Sequence, residues 1–378
     1  MDTNTIIIGA SAAGLSCAVC LQKSGIPFTL LEQSTSIGNE WKKRYQRLHL
    51  HTPKNHSHLP YLRMPERYMK YVSKHEFATY LEDYVKAFNI KPTFNQRVIK
   101  VEQGEQRWVV NTEAETYTCK NVIIATGYAE RPVKPRWRGL ENFRGNIIHS
   151  SEYTNGKPFK DKKVLVVGFG NSACEIALCL YEHQAKPALS VRSGVNILPR
   201  EIAGISIVEI ALLEKWLIKA SPVLADWINK PVLELINGNI NKYGLRKSVH
   251  GPITQMVREG KVPLLDIGTL ALIKEGKISV FPDVAHITSD TLKFSDGREE
   301  PFEVIILATG FSPSFSEFLI NSDKVCDVHG IPHVSGQESK LRGLFFCGFH
   351  VSPTGMIREI GIEARRIAHL LRKKNHPG

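Results

Sequence analysis

The chain has 378 residues, 42% hydrophobic and 23% charged, with a formal net charge of +12. That length allows two or three domains with separate cores, and the composition is that of an ordinary globular protein. No run of about 18 apolar residues exists to span a bilayer, and no nucleic-acid module is present.

The first element is a strand, a turn and a helix in "IIIGASAAG", residues 6–14. Gly9 and Gly14 hold the outer positions of a dinucleotide-binding loop, Ser11 replaces the middle glycine, and Ala13 keeps the turn small. Such spacing permits a tight turn, a close backbone approach to a pyrophosphate, and close packing of helix on strand. "CAVC" in the following helix has CxxC spacing, where small side chains also suit packing. "FTLLEQ" reads as the next strand and ends in Glu32. A carboxylate there accepts both ribose hydroxyls of an adenosine and repels a 2′-phosphate, which favours FAD or NAD over NADP.

"NVIIATG" at 121–127 is a buried strand closed by a small-residue turn at Gly127. "EVIILATG" at 303–310 is its twin, closed at Gly310, and a turn-rich hairpin precedes each. The polar stretch "SSEYTNGKPFKDKK" marks a boundary. Beyond it, "VLVVGFGNSACEIA" at 164–177 repeats the strand, loop and helix, with Gly168, Gly170, Asn171 and Ser172 in the loop and Ala173 at the third small position. Its partner strand "PALSVRSG" leads into Arg192 and Ser193. An arginine at that offset suits a 2′-phosphate, and a charge-assisted contact of roughly 1.5–3 kcal/mol gives on the order of 10–100-fold preference for NADPH over NADH.

Residues 205–236 are apolar but broken by Glu209, Glu214, Lys215, Lys219, Asp226, Lys230 and Glu234, so they read as amphipathic helices. Four uses stay open for them: core packing, a homodimer surface, a membrane-facing surface, or a cover over a substrate site. "GLFFCGF", with Gly348, and a helix from about 353 to 371 return to the first domain. The expectation is an α/β protein of two doubly wound, Rossmann-like dinucleotide-binding domains, with the NADPH domain inserted into the FAD domain. The bounds are 1–156 and 286–378 for the FAD domain and 157–285 for the NADPH domain. Seven cysteines without framework spacing point to a reducing compartment. With no signal-peptide pattern, the expected location is cytoplasmic.

Three segments carry a resemblance. "FRGNIIHSSEY" fits FxGxxxHxxxY through Phe143, Gly145, His149 and Tyr153. "LLEQSTSIGNEWKKRY" supplies Glu32, Gly38 and Trp41; "SVRSGVNILPRE" and "KVPLLDIGTLALIKEGKISVFPDV" extend the match. Together they resemble the class B flavin-containing monooxygenases, and specifically their YUCCA-like branch. The resemblance implies FAD and NADPH as cofactors, and a small organic substrate with O2. One oxygen atom is inserted from an FAD C4a-(hydro)peroxide, either by sulfide or amine oxygenation or by oxidative decarboxylation of an aryl-pyruvate such as indole-3-pyruvate.

His51, in "RLHLHTPKNHSHLP", stands where many N-oxygenating members carry Asn and the YUCCA-like branch carries His. It is the first catalytic candidate. His149 is the second, with a structural or cofactor-gating role rather than that of a general base. The four histidines of this stretch lack a Cys or carboxylate nearby in sequence, so no metal is expected. Two rival readings remain: an NADPH-dependent flavin reductase of a disulfide or small acceptor, and a non-catalytic NADPH-sensing flavoprotein.

Overall fold

The computed structural model describes residues 1–128 and 130–375. They form two compact units. The first comprises 1–43, 52–131 and 311–378; the second comprises 44–51 and 132–310.

The first unit opens with β1 (Asp2–Ile8), α1 (Ala12–Lys23) and β2 (Phe28–Leu31). α2 (Lys74–Ala87) follows, then β3 (Val98–Gln103), β4 (Trp108–Thr112) and β5 (Thr116–Ile124). The sheet order is β2-β1-β5-β4-β3. β1 runs parallel to both β2 and β5, while β3, β4 and the first half of β5 form an antiparallel meander. β1 reads as a continuous apolar run because it is covered on both faces, and Ile6, Ile7 and Ile8 are all buried. Each such side chain contributes about 1.5–3 kcal/mol. α1 is buried from Ala12 to Leu21, and that is why its sequence is apolar all round. α2 begins at a capping box in which Ser73 and Glu76 satisfy each other's backbone amides.

The second unit holds β6 (Asn146–His149), β7 (Lys163–Val167), α3 (Asn171–Glu182), β8 (Lys186–Ser190), β9 (Ser279–Phe281) and β10 (Val304–Leu307). Its sheet is wholly parallel, in the order β9-β8-β7-β10-β6. A three-stranded antiparallel sheet of Val284–Ile287, Thr291–Phe294 and Glu299–Pro301 stands beside it. The helices Ile207–Leu213, Lys215–Ala220 and Pro222–Asn237 expose Leu213, Trp216, Trp227 and Leu235. Among the described residues, no helix is long and apolar enough to cross a membrane.

The chain then returns to the first unit. β11 (Leu344–Phe346) pairs with the second half of β5, and α4 (Met356–Asn375) packs on α1.

These bounds differ from those read off the sequence, for identifiable reasons. β6 pairs in register with β10, which holds the 143–153 segment in the second unit. The hairpin after residue 285 buries Leu292 and Phe294 against Phe281 and Ile305, also in that unit. Segment 44–51 joins it because Tyr45 is part of its core, packed among residues of β7 and α3.

Candidate active site

Register builds the same edge twice. In the first unit Ile8 pairs with Leu31 and with Ile124, so the residues that follow all three strands emerge together at the C-terminal edge of the sheet. In the second, Val167 pairs with Ser190 and with Leu307. Gly9 N–H donates to Leu31 O at 2.8 Å, and Gly168 N–H donates to Ser190 O at 2.9 Å. Ala125 N–H donates to Ile8 O at 2.9 Å, and Ala308 N–H donates to Val167 O at 3.0 Å. Ligands of open α/β sheets bind at this edge.

In the first unit this edge opens into a cavity of about 640 Å³, lined by Gly9, Ser11, Glu32, Arg97, Thr126 and Glu130 among others. Gly9 has φ +99°, and a Cβ there would lie 2.9 Å from Ala125 O. A Cβ on Gly14 would lie 1.7 Å from Gly9 O, so this glycine lets helix and turn touch. The Glu32 carboxylate accepts from Ala10 N–H at 2.7 Å and Ser34 N–H at 2.9 Å. That fixes the carboxylate at the cavity wall. Ser11 is the N-cap of α1 but caps with no side-chain bond; its hydroxyl accepts from the Trp41 indole at 3.4 Å. Trp41 in turn stands edge-on to Phe77, with centroids 4.5 Å apart.

Gly38 (φ +72°) packs against Ala78 of α2, and Gly348 (φ +89°) against Ala13. Gly348 also donates its N–H to the buried Glu363 at 2.6 Å. Gly127 (φ +81°) faces open space. Two polar atoms of the cavity lining, Thr126 Oγ1 and one Glu130 carboxylate oxygen, are buried without a partner among the described residues. Burial pushes the Glu130 carboxyl above its ordinary range. A glycine turn, a fixed carboxylate and orphaned polar atoms fit the adenosine and pyrophosphate half of FAD.

The second cavity, about 650 Å³, lies wholly within the second unit. Its lining includes Gly168, Gly170, Arg136, Arg192, Ser193 and Lys261. Gly168 has φ +125°, and a Cβ there would meet Ala308 O at 2.6 Å. Gly170 is the N-cap of α3, and a Cβ there would meet nothing within 4 Å. The free amides of the helix N-terminus therefore face open space, where a pyrophosphate would lie. Three cations line the cavity against one carboxylate, Asp283, which suits the 2′-phosphate of NADPH. The sequence points to Arg192 and assigns no cofactor role to Arg136 or Lys261.

The Asn171 side chain is engaged within the protein. Its Oδ1 accepts from Leu265 N–H at 2.8 Å, tying the loop that carries Lys261 to the helix start. Ser172 hydrogen-bonds the Tyr45 phenol.

His149 is fully buried, with both ring nitrogens engaged. Ser151 N–H donates to Nδ1 at 3.1 Å, and Nε2–H donates to Gly310 O at 3.1 Å. Burial lowers its pKa, keeping it neutral. It pins the Gly310 turn (φ +84°) at the edge of the cavity, a geometry that suits a structural or positioning role. The rest of its motif is packing. A Cβ on Gly145 would meet Glu303 O at 2.4 Å, and buried Tyr153 stacks on Phe159 with centroids 5.9 Å apart.

His51 meets a partner that the sequence did not reveal. Its Nε2 lies 3.2 Å from Oε1 of Glu175, whose side chain is 4% exposed. The Tyr45 phenol donates to Glu175 Oε2 at 2.8 Å. Burial, with help from Arg200 and His49, lowers His51 to about 4, and burial raises Glu175 to about 7. Between about pH 4 and about pH 7 both members of the pair are therefore uncharged. Glu175 lies four residues after Asn171 on α3, one turn into the helix. All seven cysteines are buried, and burial raises Cys20 of "CAVC" to about 12, which keeps that thiol protonated at neutral pH.

Comparison with known proteins agrees with this geometry. The pyridine nucleotide-disulphide oxidoreductase family matches residues 6–197. Indole-3-pyruvate monooxygenase YUCCA1 of Oryza sativa subsp. japonica is 40% identical over 352 residues, covering 91% of this chain and 86% of its own. Probable indole-3-pyruvate monooxygenase YUCCA1 of Arabidopsis thaliana is 41% identical over 352 residues, covering 91% and 84%. A flavin-containing monooxygenase from Stenotrophomonas maltophilia shares the fold, with a TM-score of 0.77 at 20% identity over 99% of both chains. On these grounds the chain belongs to the pyridine nucleotide-disulphide oxidoreductase family and, within it, to the YUCCA-like flavin monooxygenases: it is a flavoprotein monooxygenase that uses FAD and NADPH.

Proposed function

We propose that the chain oxidatively decarboxylates an aryl-pyruvate, with indole-3-pyruvate as the reference substrate. The observation that carries this reading is 40% identity to an indole-3-pyruvate monooxygenase across 91% of the chain. In this reading the two units are Rossmann-like dinucleotide domains, with the NADPH domain (44–51 and 132–310) inserted into the FAD domain. The repeated strand-end register and the two glycine cavities support it.

FAD, when bound, supplies the two-electron exchange with NADPH and the reaction with O2. The chain's residues bind and orient. Gly9, Ser11, Gly14 and Glu32 hold the adenosine half of FAD, with Ala13, Gly38, Trp41, Gly127 and Gly348 shaping the turns around it. Gly168, Gly170 and Ser172 receive the NADPH pyrophosphate, Arg192 and Ser193 its 2′-phosphate, and Asn171 and Gly310 set the loops of that cavity. His51 is the residue assigned to the oxygen chemistry. The overall balance is an aryl-pyruvate, NADPH, H⁺ and O2 giving the aryl-acetate, CO2, NADP⁺ and water.

The test is product analysis of NADPH turnover with indole-3-pyruvate beside a panel of sulfides and amines. Indole-3-acetate and CO2 in step with NADPH consumption support the reading. Turnover of sulfides or amines alone moves the chain to the heteroatom-oxygenating class.

A further inference from the structure

Glu175 is a carboxyl in the body of the second unit, on the helix that starts at the glycine loop. A buried carboxyl needs a reason to be there, because an apolar residue of similar size packs without a desolvation cost. Its two oxygens are used separately. Oε2 accepts from the Tyr45 phenol at 2.8 Å, and Oε1 faces His51 Nε2 at 3.2 Å. Both partners come from segment 44–51, and no hydrogen bond to His51 Nδ1 is present among the described residues. The His51 side chain is 23% exposed, while Glu175 is 4% exposed, so the ring is held on its Nε2 side by a buried group.

We propose that Glu175 is a positioning residue for the oxygenation reaction, and that its carboxyl decides which ring nitrogen of His51 carries the proton. This rests on the reading that places His51 at the oxygen chemistry. When Glu175 is protonated, Oε1–H donates to His51 Nε2, and Nδ1 carries the hydrogen as a donor. When the carboxyl loses its proton to solvent, the imidazole hydrogen moves to Nε2 and donates to Oε1. Nδ1 is then a bare acceptor. Tyr45 donates to Oε2 in both states, so the carboxyl does not rotate.

The charged and titratable groups around the pair come from every packed element. They are Arg44, Arg47 and His49 on the 44–51 segment, Glu182 on α3, and Arg200 after the strand Ile197–Pro199. Arg47 pairs with Glu182, so its charge is partly spent at the surface. With Glu175 raised to about 7, the exchange falls at neutral pH.

The experiment uses two readouts on the FAD-loaded protein. Long-range ¹H–¹⁵N spectra of histidine-labelled protein, with His51 assigned by its loss in His51→Gln, report the tautomer directly. The fraction of oxidised NADPH released as H2O2 reports the reaction. Wild type is expected to pass from Nδ1–H to Nε2–H between about pH 6 and about pH 8, with peroxide release changing over the same range. Glu175→Gln donates from its amide to Nε2 while its carbonyl accepts from Tyr45. It should hold Nδ1–H throughout and flatten the peroxide profile at its acid-side value. Tyr45→Phe removes a bond that favours the carboxylate, so both transitions should move to higher pH. A tautomer that ignores pH in wild type, or that titrates alike in wild type and Glu175→Gln, overturns the proposal. A tautomer that behaves as described, with peroxide release unchanged in His51→Gln, instead overturns the placing of His51 at the oxygen chemistry.

Discussion

A Cβ placed on Gly168 would lie 2.6 Å from the carbonyl oxygen of Ala308, and the relationship of Gly9 to Ala125 repeats it at 2.9 Å. In both units the glycine turn after one parallel strand is pressed against the turn after the neighbouring strand. The glycine is required twice over, by this contact and by its positive φ. Gly168→Ala should lose about 1–3 kcal/mol of stability and bind NADPH more weakly, with FAD retained. Thermal unfolding and NADPH titration of the yellow protein check it; unchanged NADPH affinity would separate this turn from the cofactor.

Arg192 is exposed at the cavity mouth with Arg136 and Lys261 nearby in the lining. Arg192→Ala should raise the KM for NADPH by about 10-fold or more and leave that for NADH almost unchanged. Lys261→Ala should act in the same direction. Equal effects on both coenzymes would remove Arg192 from the 2′-phosphate.

Glu32 accepts from two backbone amides, Ala10 of the first loop and Ser34 just beyond its own strand. Glu32→Gln keeps one acceptor and replaces the other with a donor facing an N–H. FAD affinity should fall on the order of 10-fold, read by the recovery of flavin fluorescence on dilution. A variant that keeps its FAD through gel filtration at wild-type ratio would leave Glu32 a purely structural role.

His149 has no free nitrogen with which to move a proton, since one accepts from Ser151 and the other donates to Gly310. His149→Gln should destabilise the protein by about 1–3 kcal/mol and raise the NADPH KM, because the Gly310 turn is released. The shape of the kcat–pH profile should not change. A lost limb in that profile would return His149 to acid–base duty.

Glu175 and His51 pull the stability curve in opposite directions. Glu175 rises from its ordinary 4.5 to about 7, so the folded state binds more protons than the unfolded one in that window, and stability falls as pH rises through it. His51 drops from 6.5 to about 4, so the unfolded state binds more protons there, and stability rises with pH. In wild type the two slopes offset each other between about pH 4.5 and about pH 6.5. His51→Gln should expose the Glu175 slope, losing on the order of 3 kcal/mol relative to wild type from about pH 4.5 to about pH 7. Melting temperature across that range checks the sign; a variant that gains stability relative to wild type as pH rises contradicts it.

The sequence by itself determined the two strand–glycine–helix repeats, the identity of Glu32 and Arg192 at their strand ends, and hence the pairing of FAD with NADPH. These are local features: a turn with positive φ, a helix start and a strand end lie within a few residues of one another, and their chemistry survives without knowledge of the rest of the chain. Only the tertiary structure decided that segment 44–51 packs with the second unit, that His149 is a buried pin, and that Glu175 joins Tyr45 to His51. These depend on residues 130 or so apart meeting in a core, as Tyr45 and Glu175 do across a sequence separation of 130. No periodicity encodes such a meeting, because a buried carboxyl on a helix looks in sequence like any surface glutamate until packing places its partners.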